Sequence, residues 1–379
     1  MAVTARRSSA GAWSIAGLLA VGAIGLVAMI GLPRWLELSA LLDVTVYLIL
    51  AILALSLALV WGYGGILCFG QSAFFGLGAY AYAIAMFNIG ESTLPFALAI
   101  ALPAAFAALL GYFMFYGRIS DVYLGVITLT VTLILFNAVN STAGPEYHIG
   151  EARLGGFNGI PSIPPLNWPG MPDTPLDLED LFYVSIALLL AVYFGLRWLL
   201  VSRFGRVMVA IRENERRAGF LGYDARLYKL ATFAIGGALA GLAGCLFANW
   251  GAFVSPTIFG LGQSAQIIIW VIVGGRGTLI GPVVGCIAIQ WLTAFLGSAQ
   301  LSRASLAQIL GPTVADALSS VLGIADFSNT NLVMGAVLLA FVLLVPKGVM
   351  PTLLDLARRV VARRRPATEL VTDKAEGMT

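Results

Sequence analysis

Ser202-Arg-Phe-Gly-Arg-Val-Met-Val-Ala-Ile-Arg-Glu-Asn-Glu-Arg-Arg-Ala-Gly-Phe-Leu-Gly-Tyr-Asp224 stands between two long apolar runs, near 180–201 and 229–250. The flanking runs can dissolve in hydrocarbon; this stretch, with Arg203, Arg206, Arg212, Arg216 and Arg217, cannot. On a helix, Ile211, Asn214, Ala218 and Leu221 fall near one face, and Arg212, Arg216 and Arg217 lie elsewhere. Glu213 and Arg217 are four apart, a pairing that adds about 0.2–0.5 kcal/mol to an exposed helix. That is too little to fold a short helix unaided. The stretch is therefore expected as one amphipathic helix over 206–222, held outside a bilayer. The interleaved Glu213 and Glu215 argue against a purely lipid-seeking face and favour a surface that docks another protein.

The whole chain agrees with a membrane setting. Of 379 residues, 59% are hydrophobic and 11% charged, against about 25% charged in soluble domains. The mean hydropathy is +0.92. Runs of about 20 apolar residues, enough to cross a bilayer, lie near 12–32, 37–60, 66–89, 94–116, 122–140, 180–201 and 229–250. Glycine and proline interrupt the pattern between 264 and 325, and a last run covers 331–345. The expected fold is all-α and polytopic, with roughly eight to ten spanning or re-entrant helices. Residues 12–350 form one membrane domain between a short N-terminal tail, 1–11, and a basic C-terminal tail, 351–379. The run after Arg6 and Arg7 is followed by no small-residue cleavage site, so it is expected to stay as the first span.

Charge placement orients the chain. The 202–228 loop, the C-terminal tail (Arg358, Arg359, Arg363, Arg364, Arg365) and the N-terminal Arg6 and Arg7 are basic and are expected in the cytoplasm. The 141–180 loop has Arg153 against Glu146, Glu151, Asp173, Asp177, Glu179 and Asp180, so it is expected outside. Its prolines predict an irregular conformation.

Several chemistries are excluded by what the chain lacks. It has no G-x-x-x-x-G-K-[ST] loop for nucleotide and no G-x-G-x-x-G. His148 has no cysteine or histidine cluster near it, and Cys68, Cys245 and Cys286 have no paired spacing. No catalytic residue, metal or cofactor is expected. Acidic residues such as Glu37, Asp43, Glu91 and Asp121 sit at segment ends, whereas ion-coupled carriers keep ionisable groups deep in the membrane. The energy for pumping is thus expected from another polypeptide. An autonomous carrier or channel stays open as the alternative, because backbone carbonyls alone can hold sodium.

Three glycine-rich stretches shape the spans. In Trp61-Gly-Tyr-Gly-Gly65, each glycine weakens a helix by roughly 1 kcal/mol, and a break at membrane depth must be buried or line a wet cavity. Gln71, Ser72, Phe75 and Tyr80 follow it and are expected to border a translocation path, with close packing as the competing explanation. Thr128, Thr132 and Asn137 carry uncharged polar groups along the 122–140 run and suit a small polar solute; interhelical hydrogen bonding explains them equally well. Gly237 and Gly241 have the small-xxx-small spacing of a tight crossing. Gly277, Gly281 and Gly285 repeat at four residues and are expected on one helix face, within a hairpin or re-entrant element near Arg276.

Gly205 to Asp224, Lys229-Leu-Ala-Thr-Phe-Ala-Ile-Gly-Gly-Ala-Leu-Ala-Gly-Leu-Ala-Gly244, Gly70-Gln-Ser-Ala-Phe-Phe-Gly-Leu-Gly-Ala-Tyr80 and Gly274-Gly-Arg-Gly-Thr-Leu-Ile-Gly-Pro282 together resemble the LivM-type permeases of bacterial ABC importers. The resemblance covers roughly 40–350. It implies a non-enzymatic transport subunit of the inner membrane, paired with a homologous second permease. Two ABC ATPase subunits and an extracytoplasmic solute-binding protein would complete the assembly, with the lipid bilayer as solvent and no nucleic acid. Arg212, Glu213, Asn214, Glu215, Ala218, Leu221 and Gly222 would carry the coupling to the ATPases. Branched-chain amino acids are the first implied substrates, and urea or short-chain amides the alternative. Cys68 and Gln71 stand where many members have Ser and His, and Arg276 is familiar from the urea-type branch.

Overall fold

A computed structural model describes residues 15–168 and 170–298. The expected span at 331–345 and both expected tails, 1–11 and 351–379, lie outside the described residues. The chain divides into two compact units, 1–268 and 269–379.

In the first unit the helices are α1 (Ile15–Trp35), α2 (Leu38–Leu57), α3 (Gln71–Ile89), α4 (Thr93–Tyr116), α5 (Asp121–Asn140), α6 (Leu178–Val201), α7 (Arg203–Glu213), α8 (Glu215–Phe220) and α9 (Ala225–Gly251). Among the described residues six helical stretches are long and apolar enough to cross a membrane: Leu38–Tyr63, Gln71–Ile89, Thr93–Tyr116, Val122–Asn140, Leu178–Val201 and Ala225–Gly251. The fold is all-α and polytopic, with only short two-stranded ladders besides.

Burial sorts the helices by solvent. Every residue of α2 from Thr45 to Leu57 is buried, so α2 is a core element and apolar on all sides. α4 and α5 instead turn Leu98, Leu102, Leu109, Phe113, Val126 and Ile134 outward, which only hydrocarbon solvates cheaply. α9 packs against α2, α3 and α4. Its glycines allow this. A Cβ on Gly241 would lie 2.3 Å from the Ala99 carbonyl oxygen of α4, and one on Gly237 would lie 2.6 Å from Ala107 Cβ. One on Gly244 would lie 2.0 Å from the Phe75 carbonyl oxygen of α3. The α9 backbone therefore touches two neighbours with no side chain between, the geometry that small residues permit in lipid.

Between α2 and α3 the chain departs from the expected start of a span at 66. α2 continues as a π turn, Ala58–Tyr63, and α3 starts only at Gln71. Residues 64–70 are not helical. Gly65 takes φ +72, a left-handed conformation that costs a side-chain-bearing residue about 1–2 kcal/mol.

The 141–180 loop, expected to be irregular, ends at the start of α6 and carries ladders of His148–Ile149 with Ala152–Arg153 and of Asn167–Trp168 with Met171–Pro175. Ile160–Pro161 pairs with Phe253–Val254 beyond α9. Side-chain amides, exposed at Asn88 and buried at Asn167 and Asn249, tie it down. Asn88 Nδ2 donates to the Ile149 carbonyl at 2.9 Å, and Asn249 Oδ1 accepts from Leu166 N at 2.7 Å. Ser92 and Asn167 exchange further bonds, including Ser92 N to Asn167 Oδ1 at 2.9 Å. Side-chain partners of this kind replace the sheet that so many prolines forbid.

α10 (Leu261–Gly274) is a short apolar helix. In the second unit, a turn with Gly275 at φ +104 leads to α11 (Ile280–Ser298). Thr278 Oγ1 accepts from Gly281 N at 3.1 Å and caps α11. Cβ atoms on Gly281 and Gly285 would lie 2.4 Å from the carbonyl oxygens of Gly274 and Trp270 respectively. Gly277 belongs to the turn, where an added Cβ would meet nothing within 4 Å, so the expected three-glycine face holds two glycines. The cap at Thr278 starts the helix too late to include the third.

Candidate functional site

The basic stretch is two helices at an elbow, not the single helix expected. α6 ends at Ser202, whose side chain accepts from Gly205 N at 3.3 Å and starts α7. Asn214 closes α7 through its N–H, which donates to the Ala210 carbonyl at 3.0 Å. Its Oδ1 accepts from Arg217 N at 3.0 Å and opens α8. Asparagine competes for backbone hydrogen bonds in this way, favouring caps over helix interiors. The break also removes the expected pair: the Glu213 carboxylate meets the Arg212 guanidinium and not Arg217.

Val207, Ile211, Ala218 and Ala225 bury together beneath the elbow, with Tyr228 against them. Ile211 and Ala218 thus hold the two helices to the foot of α9. Asn214 and Leu221, expected on the same face, are exposed, as is Gly222. Phe220 and Leu221 are 89% and 77% exposed, next to Glu215, Arg216 and Arg217. Lys229 on α9 secures α8 by an ion pair to Glu215 at 2.7 Å.

The inner side of the elbow reaches the helix break. The Arg212 guanidinium donates to the Gly62 carbonyl oxygen. A Cβ on Gly65 would stand 2.6 Å from Arg212 Cγ, so the arginine stem fills the space that glycine leaves. Thr232 Oγ1 lies 3.0 Å from Met208 Sδ of α7 and donates to the Tyr228 carbonyl at 2.7 Å. The far end of the break meets α5. Phe69 N donates to Thr128 Oγ1 at 3.1 Å, and a Cβ on Gly70 would lie 2.2 Å from the Thr128 carbonyl oxygen. Residues 64–70 are therefore gripped at one end by α7 and at the other by α5.

The residues expected along a path divide into two groups. Gln71 is buried, and its Nε2 donates to Ser56 Oγ at 2.8 Å and to the Gly236 carbonyl at 3.1 Å. It joins α2, α3 and α9. Ser72 Oγ lies 2.6 Å from Ser264 Oγ of α10. Phe75 packs on Phe247 at 5.4 Å between ring centres. Thr132 bonds back to the Thr128 carbonyl at 2.8 Å. Asn137, on an exposed face, bonds to the Leu133 carbonyl at 3.0 Å. Tyr80 differs. It sits nine residues from either end of α3, its ring stacks 5.7 Å from Phe259, and its buried hydroxyl has no hydrogen-bond partner. Such an orphaned group is costly and calls for a reason.

Sequence reasoning missed Ser56, Gly62, Thr232 and Lys229. Ser56 had a signal, as the one polar residue between Leu48 and Val60. Gly62 was legible only as part of a helix break, because its contact with Arg212 is made by a backbone carbonyl. Among the described residues no group of three or more metal-ligating side chains occurs.

A bundle of lipid-facing helices around a broken core segment, with a polar elbow fastened to that break, defines a multi-span membrane protein of the transport type. The sequence profile of the family described as branched-chain amino acid transport system, permease component, matches residues 39–342. The chain belongs to this family of transport permeases. It is 33% identical over 265 residues to the high-affinity branched-chain amino acid transport system permease protein LivM of Escherichia coli K12, covering 64% of this chain and 60% of that protein. It is also 33% identical to LivM of Salmonella typhimurium LT2 over 260 residues, with the same coverage. A shorter match, 29% over 127 residues, joins it to the autoinducer 2 import system permease protein LsrC of Photorhabdus laumondii, covering 31% of this chain and 38% of that protein. The chain spans about 60% of the length of the LivM relatives. No solved structure matches it.

Proposed function

We propose that this chain is the membrane-spanning subunit of an ATP-driven importer for branched-chain amino acids, set in the bacterial inner membrane with both termini and the elbow in the cytoplasm. Two ATPase subunits dock on the elbow. A homologous permease completes the conduit, and an extracytoplasmic binding protein supplies the solute. The observation that carries this reading is the contact of Arg212 with Gly62 and Gly65. It makes the docking surface and the broken core segment one mechanical unit. An ATPase that grips Phe220 and Leu221, both exposed beside a charged rim, moves α7. α7 moves the break. The buried, unpartnered hydroxyl of Tyr80, in the middle of α3, is the polar group that a solute or water meets when the path opens.

The test replaces Glu213, Asn214 and Glu215 together by alanine in the assembled importer. ATP-driven uptake is expected to be lost while the chain remains inserted and folded. Undiminished uptake by that variant would sink the coupling role. Calorimetric screening of the cognate binding protein then decides between leucine-like amino acids and urea or amides.

A further inference from the structure

We propose that the recess between the α4–α5 turn and the foot of α9 binds the phosphate headgroup of an anionic phospholipid. The recess is a cavity of about 420 Å³, and its polar lining is Arg118, Ser120, Glu215, Arg226 and Lys229. Three cations therefore face one carboxylate. Glu215 is already engaged by Lys229 at 2.7 Å. Among the described residues no acidic side chain pairs with Arg118 or Arg226. The Arg226 guanidinium is held 5.7 Å over the Tyr116 ring, a contact that fixes its position without consuming its charge. Among the described side chains, two arginines thus present donors without an acidic partner to one concave space, the arrangement that suits a phosphate.

The turn that carries Arg118 is unusual. α4 ends with Ile119 N donating to the Met114 carbonyl at 3.2 Å and Arg118 N to the Phe115 carbonyl at 3.4 Å. This pair of bonds marks a Schellman motif, whose left-handed position is normally glycine. Here Gly117 is right-handed at φ −72, and Arg118 takes the left-handed place at φ 54. The chain tolerates a strained arginine directly beside a glycine that could have occupied the position without strain.

The surroundings select a lipid over a soluble anion. On the same turns of α4 and α5, Tyr112, Phe113, Val122 and Tyr123 are between 52% and 71% exposed. Acyl chains are the solvent such residues need, and aromatic side chains with polar tips gather at the level of the headgroups. The apolar Phe115, Ile119 and Leu124 complete the cavity wall. A molecule with a phosphate at one end and hydrocarbon at the other matches both parts. Basic pockets between helices on the cytoplasmic side have this chemistry.

The experiment places the full chain in nanodiscs of equimolar phosphatidylglycerol and phosphatidylcholine, then counts the lipids retained on release by native mass spectrometry. Retention of phosphatidylglycerol is expected to exceed that of phosphatidylcholine by about thirtyfold, as two added cations near a headgroup predict. Arg118→Gly removes one cation and relieves the strained turn. It should fold at least as well and lose most of the preference. The double variant Arg118→Gly/Arg226→Gln should show none. Equal retention of the two lipids by the natural chain overturns the proposal. So does a preference unchanged in a double variant whose thermal unfolding matches the natural chain. Displacement of the lipid by millimolar inorganic phosphate would mark a soluble-anion site and overturns the lipid assignment. None of these measurements involves transport, so their outcome is separate from that of the importer reading.

Discussion

The guanidinium of Arg212, in the last turn of α7, donates to the carbonyl oxygen of Gly62, 150 residues earlier in the chain. Gly62 lies in the π turn that ends α2, where carbonyls lose their helical partners. A cation is favourable at such an end because the helix dipole is negative there. The contact therefore stabilises the break and, at the same time, fastens it to the elbow.

Arg212→Gln should uncouple the two. ATPase copurification is expected to stay within about twofold of the natural chain. ATP-driven uptake should fall by about tenfold, inside the usual span of coupling between sites. Equal loss of binding and uptake would show that Arg212 acts in docking alone.

Two glycines of the same region should respond with opposite sign. Gly65→Ala forces a Cβ into a left-handed residue and against Arg212 Cγ, and is expected to cost about 1–3 kcal/mol. Gly219→Ala meets open space on α8 and should stabilise that helix by about 0.5–1 kcal/mol. Thermal unfolding in detergent reads both.

Gln71→Leu keeps the volume and deletes the donor that serves Ser56 and Gly236. Leaving buried acceptors unserved costs about 1–3 kcal/mol, so the unfolding midpoint should fall. Gln71→His retains a donor and should lose less. If the leucine variant were as stable as the natural chain, the amide would not be the brace that its geometry suggests.

Orientation has a direct check. Epitopes inserted at Gly170 and Gly219, where an added Cβ would meet nothing within 4 Å, should be reached from opposite faces of the membrane: Gly170 in spheroplasts, Gly219 only after permeabilisation. Labelling of both from the same face would overturn the charge-based topology.

How much of this was legible depends on the range of the interaction. Spans follow from runs of apolar residues, and the boundaries of α4, α5 and α6 fall within a few residues of those expected. The lipid-facing and core helices were not separable, since α2 and α4 are equally apolar and differ only in what surrounds them. The start of α3 was misplaced because residues 66–69 are apolar enough to be helical; what stops them is the grip of Arg212 and Thr128, each far away in sequence. Asn214 is a local signal that was available and was read as a face residue instead of a cap. Gln71 was legible as a polar group at depth, but its partners Ser56 and Gly236 come from two other helices.

α9 carries Lys229 near one end and Asn249 near the other, and its 27 residues make a rod about 40 Å long. Midway, Gly241 lies backbone to backbone against Gly78, whose own added Cβ would stand 2.3 Å from the Gly241 carbonyl oxygen. A bare crossing of this kind, flanked by the ring contacts of Phe74 with Phe233 and of Phe75 with Phe247, is the natural fulcrum between the two helices. A tilt about it would send the ion pair to α8 one way and the amide that secures Leu166 the other, so that opening at one face of the membrane implies closing at the opposite one.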